Sequence, residues 1–411
     1  MHVVLIGART EAVQALLDGG HRVTLLYEGG EHARVAALRD RLAHACAVDS
    51  YLVVESLWSA LHQVGALAEG VDAVVSVQEN GMVPAALLGR QLGARALDPE
   101  LALRCRDKAV QKAAWRAAGV PTADWLLLPD AGAGPEPVSA AVARAGLTAP
   151  YVVKPTAGAA TIGVALAPDG PALDALVTDL IADAPERRRL LVESWVAGPE
   201  WHADGLVRDG RPTALLLSRY RSPLIETKQG TPTATVALLP DQHPELYREV
   251  TALTDRALAA LGHTDGVFHF ELFGGPGEFT AGELAARPGG HFIGSLTRRV
   301  LGIDVWAAAV HLLLGEPVPA GPAGTEVVGF TDIPTVAGQP NRLTRAQVER
   351  IPGVVELEIK IQPGAPMPDM RANSGIRIGT ALVAAPTEQD CLAALDQVVD
   401  TALKVNQPGE E

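Results

Sequence analysis

Two glutamates stand out because each sits in an otherwise apolar stretch. Glu271 lies in Phe268-His269-Phe270-Glu271-Leu272-Phe273, and Glu283 in Phe279-Thr280-Ala281-Gly282-Glu283-Leu284. These stretches read as two strands joined by the turn Gly274-Gly275-Pro276-Gly277. Carboxylates on neighbouring antiparallel strands repel unless a cation lies between them. Hard oxygen donors on rigid strands suit Mg²⁺, which takes one or two carboxylates and shares a substrate's phosphates. Arg287, four residues after Glu283, adds a fork-shaped cation, and Pro288-Gly289-Gly290 lets backbone come close to a ligand. Lys154 ends the apolar run Tyr151-Val152-Val153, before Pro155 and a loop of small residues from Thr156 to Val164. Backbone N–H groups of such a loop can reach phosphate oxygens while the lysine supplies a point charge. Singly, these features also have plain readings. A strand ending in Lys-Pro is commonly an edge, and Glu193 and Glu200 each pass for solvated surface acids. His269, beside Glu271, is read as a packed core histidine pointing to the opposite face of its strand.

The elements that must position these residues follow from periodicity. Residues 3–6 read as a buried parallel strand, Gly7-Ala8-Arg9-Thr10 as a turn, 11–17 as a helix and 21–27 as the next strand. Strand 71–77 and helix 84–92 complete a small doubly wound α/β unit over residues 1 to about 100. A dinucleotide-binding reading of the first turn lacks a full GxGxxG, so the tight turn is preferred. A helix is expected over 107–119, an exposed, mobile loop over 129–137, and strands over 151–155, 190–196, 200–207 and 215–219. Beyond these come helix 245–261, strands 266–273 and 279–284, helix 305–314, strands from about 326 through 355–361 and 375–383, and a last helix over 387–403. No internal repeat is visible.

The bulk composition narrows the function class. The 411 residues suit two or three domains, and 48% hydrophobic content allows a sizeable core. A net charge of -14 argues against nucleic-acid and anionic-membrane partners. Cys46, Cys105 and Cys391 are far apart, which gives neither a disulfide framework nor a zinc site, so a reduced, cytoplasmic setting is the simpler reading. No stretch approaches the ~20 apolar residues of a membrane span.

Taken in order, Arg106-Asp107-Lys108, Val153-Lys154-Pro155, the small-residue loop, Glu193 with Gly198-Pro199-Glu200, Glu271, and Glu283 with Arg287-Pro288-Gly289-Gly290 resemble the ATP-grasp superfamily. The resemblance is strongest to carboxylate–amine ligases of the L-amino acid ligase type, and it spans nearly the whole chain. It implies an α/β chain with the ATP-grasp fold: an N-terminal doubly wound pre-ATP-grasp domain and two α+β lobes gripping ATP. The expected units are residues 1–105, a small lobe with a lid loop over 106–196, a large lobe with the metal site over 197–325, and a C-terminal lobe over 326–411.

The same resemblance implies residue roles. Lys108 and Lys154 would contact ATP phosphates, and the loop from Thr156 to Gly163, including Gly158 and Thr161, would fold over them. Glu193 would face the adenine amino group, with backbone of Trp195 and Val196 along the adenine edge, and Glu200 would hold the ribose. Glu271 and Glu283 would ligate two Mg²⁺ (or Mn²⁺) ions, and Arg287 would stabilise the transferring phosphoryl group. Many relatives have Glu-x-Asn-x-Arg at the second metal site, where this chain has Ala285, and the lid lacks a common serine that Thr161 would replace. Glu79 is a candidate for a substrate ammonium, and Arg221, Lys228 and Arg298 for a substrate carboxylate or phosphate.

The implied reaction activates a carboxylate as an acyl phosphate, which an amine then attacks. Small carboxylate and amine substrates, amino acids above all, would be the partners, and a homodimer through the first domain is a family-level expectation. Two alternatives remain. One is a purine-pathway carboxylase or formyltransferase, which would need a phosphate-binding cluster in the first domain. The other is a non-catalytic nucleotide-binding module, against which both metal glutamates and Arg287 speak.

Overall fold

The structure is a computed structural model, and it describes residues 1–132, 136–158, 161–186 and 188–407. The expected loop over 129–137 and the expected lid over 156–163 fall partly outside the described residues, at 133–135 and 159–160.

The fold is mixed α/β and begins with a four-stranded parallel sheet. Its strands are β1 (His2–Ile6), β2 (Arg22–Glu28), β3 (His44–Val48) and β4 (Ala73–Ser76), in the spatial order β3-β2-β1-β4. Val3, Val4, Leu5 and Ile6 are all fully buried, as a strand covered on both faces requires. The chain runs outward from β1 to β3 and then returns to the other side of β1 with β4. The order of strands therefore reverses between β1 and β4, which is where open α/β sheets leave a crevice at their carboxyl ends. β3 escapes the sequence reading because it is an edge strand, only half buried, whose His-Ala-Cys-Ala-Val residues show neither an apolar run nor clean alternation.

The second sheet is antiparallel, with β5 (Trp125–Leu128), β6 (Tyr151–Pro155), β7 (Ala165–Ala167) and β8 (Leu190–Ser194) in the order β5-β8-β6-β7. The third has eight strands: β9 (Glu200–Arg208), β10 (Arg211–Tyr220), β11 (Ala234–Ala237), β12 (Gly266–Phe273), β13 (Thr280–Ala285), β14 (Val327–Ile333), β15 (Val354–Ile359) and β16 (Gly379–Ala385). Their order is β13-β12-β9-β10-β11-β14-β16-β15, so the C-terminal strands continue the sheet that carries the glutamates.

Side chains of β9 and β12 alternate across the large sheet. Trp201, Ala203, Phe268, Phe270 and Leu272 enter the core, whereas Glu200, His202, Asp204, His269 and Glu271 share the other face. His269 and Glu271 are two residues apart, so the two-residue period puts them on the same face. This corrects the expectation that His269 points away from Glu271.

Two helices meet at Asp107 where one was expected. The first, Pro99–Arg106, ends there, and the Asp107 side chain accepts from the N–H groups of Ala109 and Val110, each at 3.0 Å, to cap the helix Lys108–Ala117. Among the described residues, no helix is long and apolar enough to cross a membrane.

Candidate active site

A cavity of about 450 Å³ lies where the three sheets converge, a size typical of small-molecule sites. The parallel sheet supplies Arg9 from the loop after β1, and Gln78 and Glu79 from the loop after β4, the two carboxyl ends at the reversal of strand order. The second sheet supplies Lys154, Glu193 and the segment through Trp195 and Val196. The large sheet supplies Glu200, His269, Glu271 and Glu283.

Glu271 and Glu283 are direct partners across β12 and β13. The register slips just beyond them, because Leu272 pairs with Ala281 and Gly282 is left over. A side chain at position 282 would lie 2.6 Å from the Phe273 ring and 3.0 Å from the Glu271 carbonyl oxygen, so the bulge that aims Glu283 needs a glycine. Two facing carboxylates are a hard-oxygen donor set that fits Mg²⁺ or Mn²⁺. Ala285, opposite His269, lines the cavity without offering a donor.

The cations sit in two groups. Lys108 Nζ lies 2.8 Å from Glu283 Oε1 and 3.3 Å from the Gly158 carbonyl oxygen. Burial opposes the charge on Glu283, but Lys108, with Lys154 and Arg287, outweighs it and holds the carboxyl below its ordinary value. In the second group, Lys154 Nζ and Lys112 Nζ lie 2.9 and 3.2 Å from the same oxygen, Glu193 Oε1. Burial pushes the Lys112 ammonium down to about 8 even with Glu193 beside it. For Glu193, burial is outweighed by the two lysines, and its carboxyl titrates below the ordinary value. The expectation for Glu193 did not include this pairing.

Lys112 is a residue that sequence reasoning passed over. The usable signal was its spacing: four residues after Lys108 on one helix, it shares that residue's face. Arg106 was likewise quoted only as part of a motif. Its guanidinium donates to the carbonyls of Ala157 at 2.6 Å and Gly158 at 3.1 Å, which anchors the start of the small-residue loop.

Glu200 faces the cavity at 4% exposure and accepts from the Leu224 N–H at 2.7 Å. Burial, together with the negative charge of Glu271, raises its carboxyl to about 8. Glu79, expected near a substrate ammonium, is ion-paired to Arg287 Nε, with Arg106 Nη1 3.5 Å away. Gly158 and Thr161 line the cavity, while Gly163 lines a neighbouring one with Lys228.

Three expected substrate residues lie outside the lining of the main cavity. Tyr220, which ends β10, faces it, so Arg221 turns the other way and pairs with Asp396. Lys228 donates to the Ala372 carbonyl at 2.8 Å, and Arg298 Nη2 lies 2.9 Å from Asp304 Oδ2. The lining instead includes Arg9, whose guanidinium stacks 4.0 Å from the centre of the Trp306 ring, and His291, whose Nε2 lies 3.1 Å from Asp332 Oδ2. No local motif reports Trp306 or His291, because they come from separate elements that meet only in the folded chain.

Comparison with known proteins bears on this arrangement. The chain is 24% identical over 333 residues to the L-arginine-specific L-amino acid ligase of Bacillus subtilis, covering 80% of this chain and 78% of that one. It is 33% identical over 187 residues to a D-alanine–D-alanine ligase of Synechococcus, a match covering 46% and 49% of the two chains. Among solved structures, an L-amino acid ligase from Bacillus licheniformis superposes with a TM-score of 0.75 at 18% identity, over 97% of both chains. A carboxyaminoimidazole ribonucleotide synthase from Aspergillus clavatus, complexed with ATP, gives 0.71 at 18% identity over 98% of both. No protein-family model matches the chain.

Proposed function

Because this chain is an ATP-grasp ligase, we propose that it binds ATP in the cavity and joins a small carboxylate to an amine, both of the amino acid class. The product is an amide, formed through an acyl phosphate with release of ADP and phosphate. The observation that carries this reading is the cross-strand pair Glu271 and Glu283, with Lys108, Lys154 and Arg287 set around one cavity. The arginine-specific ligase, similar over most of both chains, supports the amino acid class of substrate.

In this reading Lys108 and Lys154, which line the cavity, neutralise phosphate oxygens, with Gly158, Thr161 and Gly163 on the loop beside them. Trp195 and Val196 form the wall for adenine, next to Glu193, and Glu200 is the candidate for the ribose hydroxyls. Divalent ions held by Glu271 and Glu283, two in this reading, supply charge neutralisation on the triphosphate. In the first step a substrate carboxylate oxygen attacks the γ-phosphorus and the bond to the β-phosphate oxygen breaks, releasing ADP. In the second the amine nitrogen attacks the acyl carbon, phosphate leaves with the bonding pair, and the nitrogen gives up a proton. The protein's part is to position the groups, screen charge and exclude water, which would otherwise hydrolyse the acyl phosphate. Arg287 provides a cation where charge builds on the transferring group.

The test is incubation with Mg-ATP and pools of amino acids, reading ADP, phosphate and product mass. Equimolar ADP and an amide product are expected. ADP formed only with bicarbonate or formate plus a ribonucleotide would instead select the purine-pathway reading. Glu283→Gln and Arg287→Ala should each lower turnover by roughly 10²-fold or more while the protein stays folded. Undiminished turnover in either variant sinks this placement of the site.

A further inference from the structure

Beneath Glu271 runs a row of buried polar side chains that the chemistry above does not use. The register of β9 and β12 sets His202 opposite Glu271, and Asp204 opposite His269. His202 is fully buried, Asp204 is 2% exposed and His269 8%. Asp204 engages both histidines: Oδ2 lies 2.5 Å from His202 Nδ1 and Oδ1 lies 2.8 Å from His269 Nδ1. The Thr235 hydroxyl donates to the Arg219 carbonyl at 3.0 Å, so its oxygen is left to accept from His202 Nε2 at 2.9 Å. With Nδ1 committed to Asp204, the other nitrogen of His269 is directed at Glu271, with Nε2 3.5 Å from Oε1. Across β13, Ala285 stops at Cβ and leaves the imidazole beside the cavity.

A second contact ties the same pair to Arg287. The backbone of the Pro288-Gly289-Gly290 turn closes directly over it. A Cβ at Gly289 would stand 2.8 Å from His269 Nδ1, 3.0 Å from Asp204 Oδ1 and 2.6 Å from Ile293 Cδ1.

We propose that His269, oriented by Asp204, is a positioning residue that holds the Glu271 carboxylate in place for the divalent ion, while the same pair seats the turn that carries Arg287. Ligand atoms of His202, Asp204 and His269 lie within 4.8 Å of one another, which is close enough to hold a metal themselves. They are, however, already bonded to each other, and the one nitrogen left over points to Glu271. Partners of this kind fix the orientation of a ligating group, and their loss commonly costs 10–100-fold in metal affinity. The inference rests on the reading of Glu271 as a metal ligand.

The experiment is titration of Mn²⁺ against the full-length protein bound to a non-hydrolysable ATP analogue, with free Mn²⁺ read by electron paramagnetic resonance. His269→Asn should weaken Mn²⁺ binding roughly 10–100-fold, and the near-isosteric Asp204→Asn should weaken it in the same direction. His263 supplies the control. It is also buried, precedes the same strand, bonds the carbonyl of Val267 within it at 2.9 Å, and lies outside the main cavity. His263→Asn should lower the melting temperature without moving Mn²⁺ affinity. Unchanged affinity in His269→Asn, or equal weakening in His263→Asn, overturns the proposal. Nitrogen hyperfine coupling to the bound Mn²⁺ overturns it too, in favour of direct ligation by His269. Should His269→Asn fail to fold, Asp204→Asn decides. Glu283→Gln separates the two levels. If it leaves Mn²⁺ affinity intact, the metal reading itself fails. If it weakens binding and His269→Asn does not, only this inference falls.

Discussion

Glu200 and Glu271 occupy one wall of the cavity, and their charges conflict. Burial and the neighbouring charge lift the Glu200 carboxyl to about 8 from its ordinary 4.5, so the folded protein holds a proton there that the unfolded chain releases. The sign follows from linkage. Stability from this group is fully present below about 4.5 and is lost as pH rises through about 8. The ligand-free protein, kept in chelator, should therefore melt at progressively lower temperature between those two values relative to Glu200→Gln, which cannot ionise. Parallel melting curves for the two proteins across that window would refute the assignment. At Glu193 the balance differs: two ammonium groups hold its buried carboxyl below the ordinary value, although burial still pushes Lys112 down to about 8.

The decisive features at the level of elements are local. Asp107 starts the helix that sets Lys108 and Lys112 one turn apart, and the bulge at Gly282 turns Glu283 toward Glu271. The Pro288-Gly289-Gly290 turn has no room for a side chain at its centre, because two of the three atoms nearest an added Cβ at Gly289 belong to the Asp204–His269 pair and the third is Ile293 Cδ1. Gly289→Ala should therefore destabilise the protein by about 1–3 kcal/mol through overpacking and lower turnover as well. Calorimetry and ADP release measure the two effects. An alanine variant as stable and as active as the parent would show that the turn can yield.

At the scale of the molecule, the parallel sheet and the large sheet meet through Glu79. It comes from the crevice at β4, and its partners are Arg287 just after β13 and Arg106 at the end of the helix Pro99–Arg106. Removing one partner of a largely buried pair strands the other, at a cost of about 3 kcal/mol or more. Glu79→Gln should thus lower the melting temperature and reduce turnover more than it raises the KM for ATP, since it loosens Arg287 rather than the adenine wall. A change confined to the KM of the amine substrate would instead favour direct contact between Glu79 and an ammonium group.

Much of this was legible in the chain itself. The βαβ opening and the strand pair around Glu271 and Glu283 are local or periodic signals, and burial of one face imposes them on the sequence, whereas the order of Lys108, Lys154 and Arg287 was read through the ATP-grasp resemblance. The edge strand β3 was not legible, because a half-buried edge need not alternate. Tertiary structure alone decided which charges pair. Glu193 meets Lys112 and Lys154, Glu79 meets Arg287, and Arg221, Lys228 and Arg298 turn to other partners. Spacing along a chain reports which face a side chain leaves from, whereas its partner is whatever another element brings to that face. The His202–Asp204–His269 row lies between these cases: its two-residue periods were present in the sequence, but only the β9–β12 register aligned it beneath Glu271.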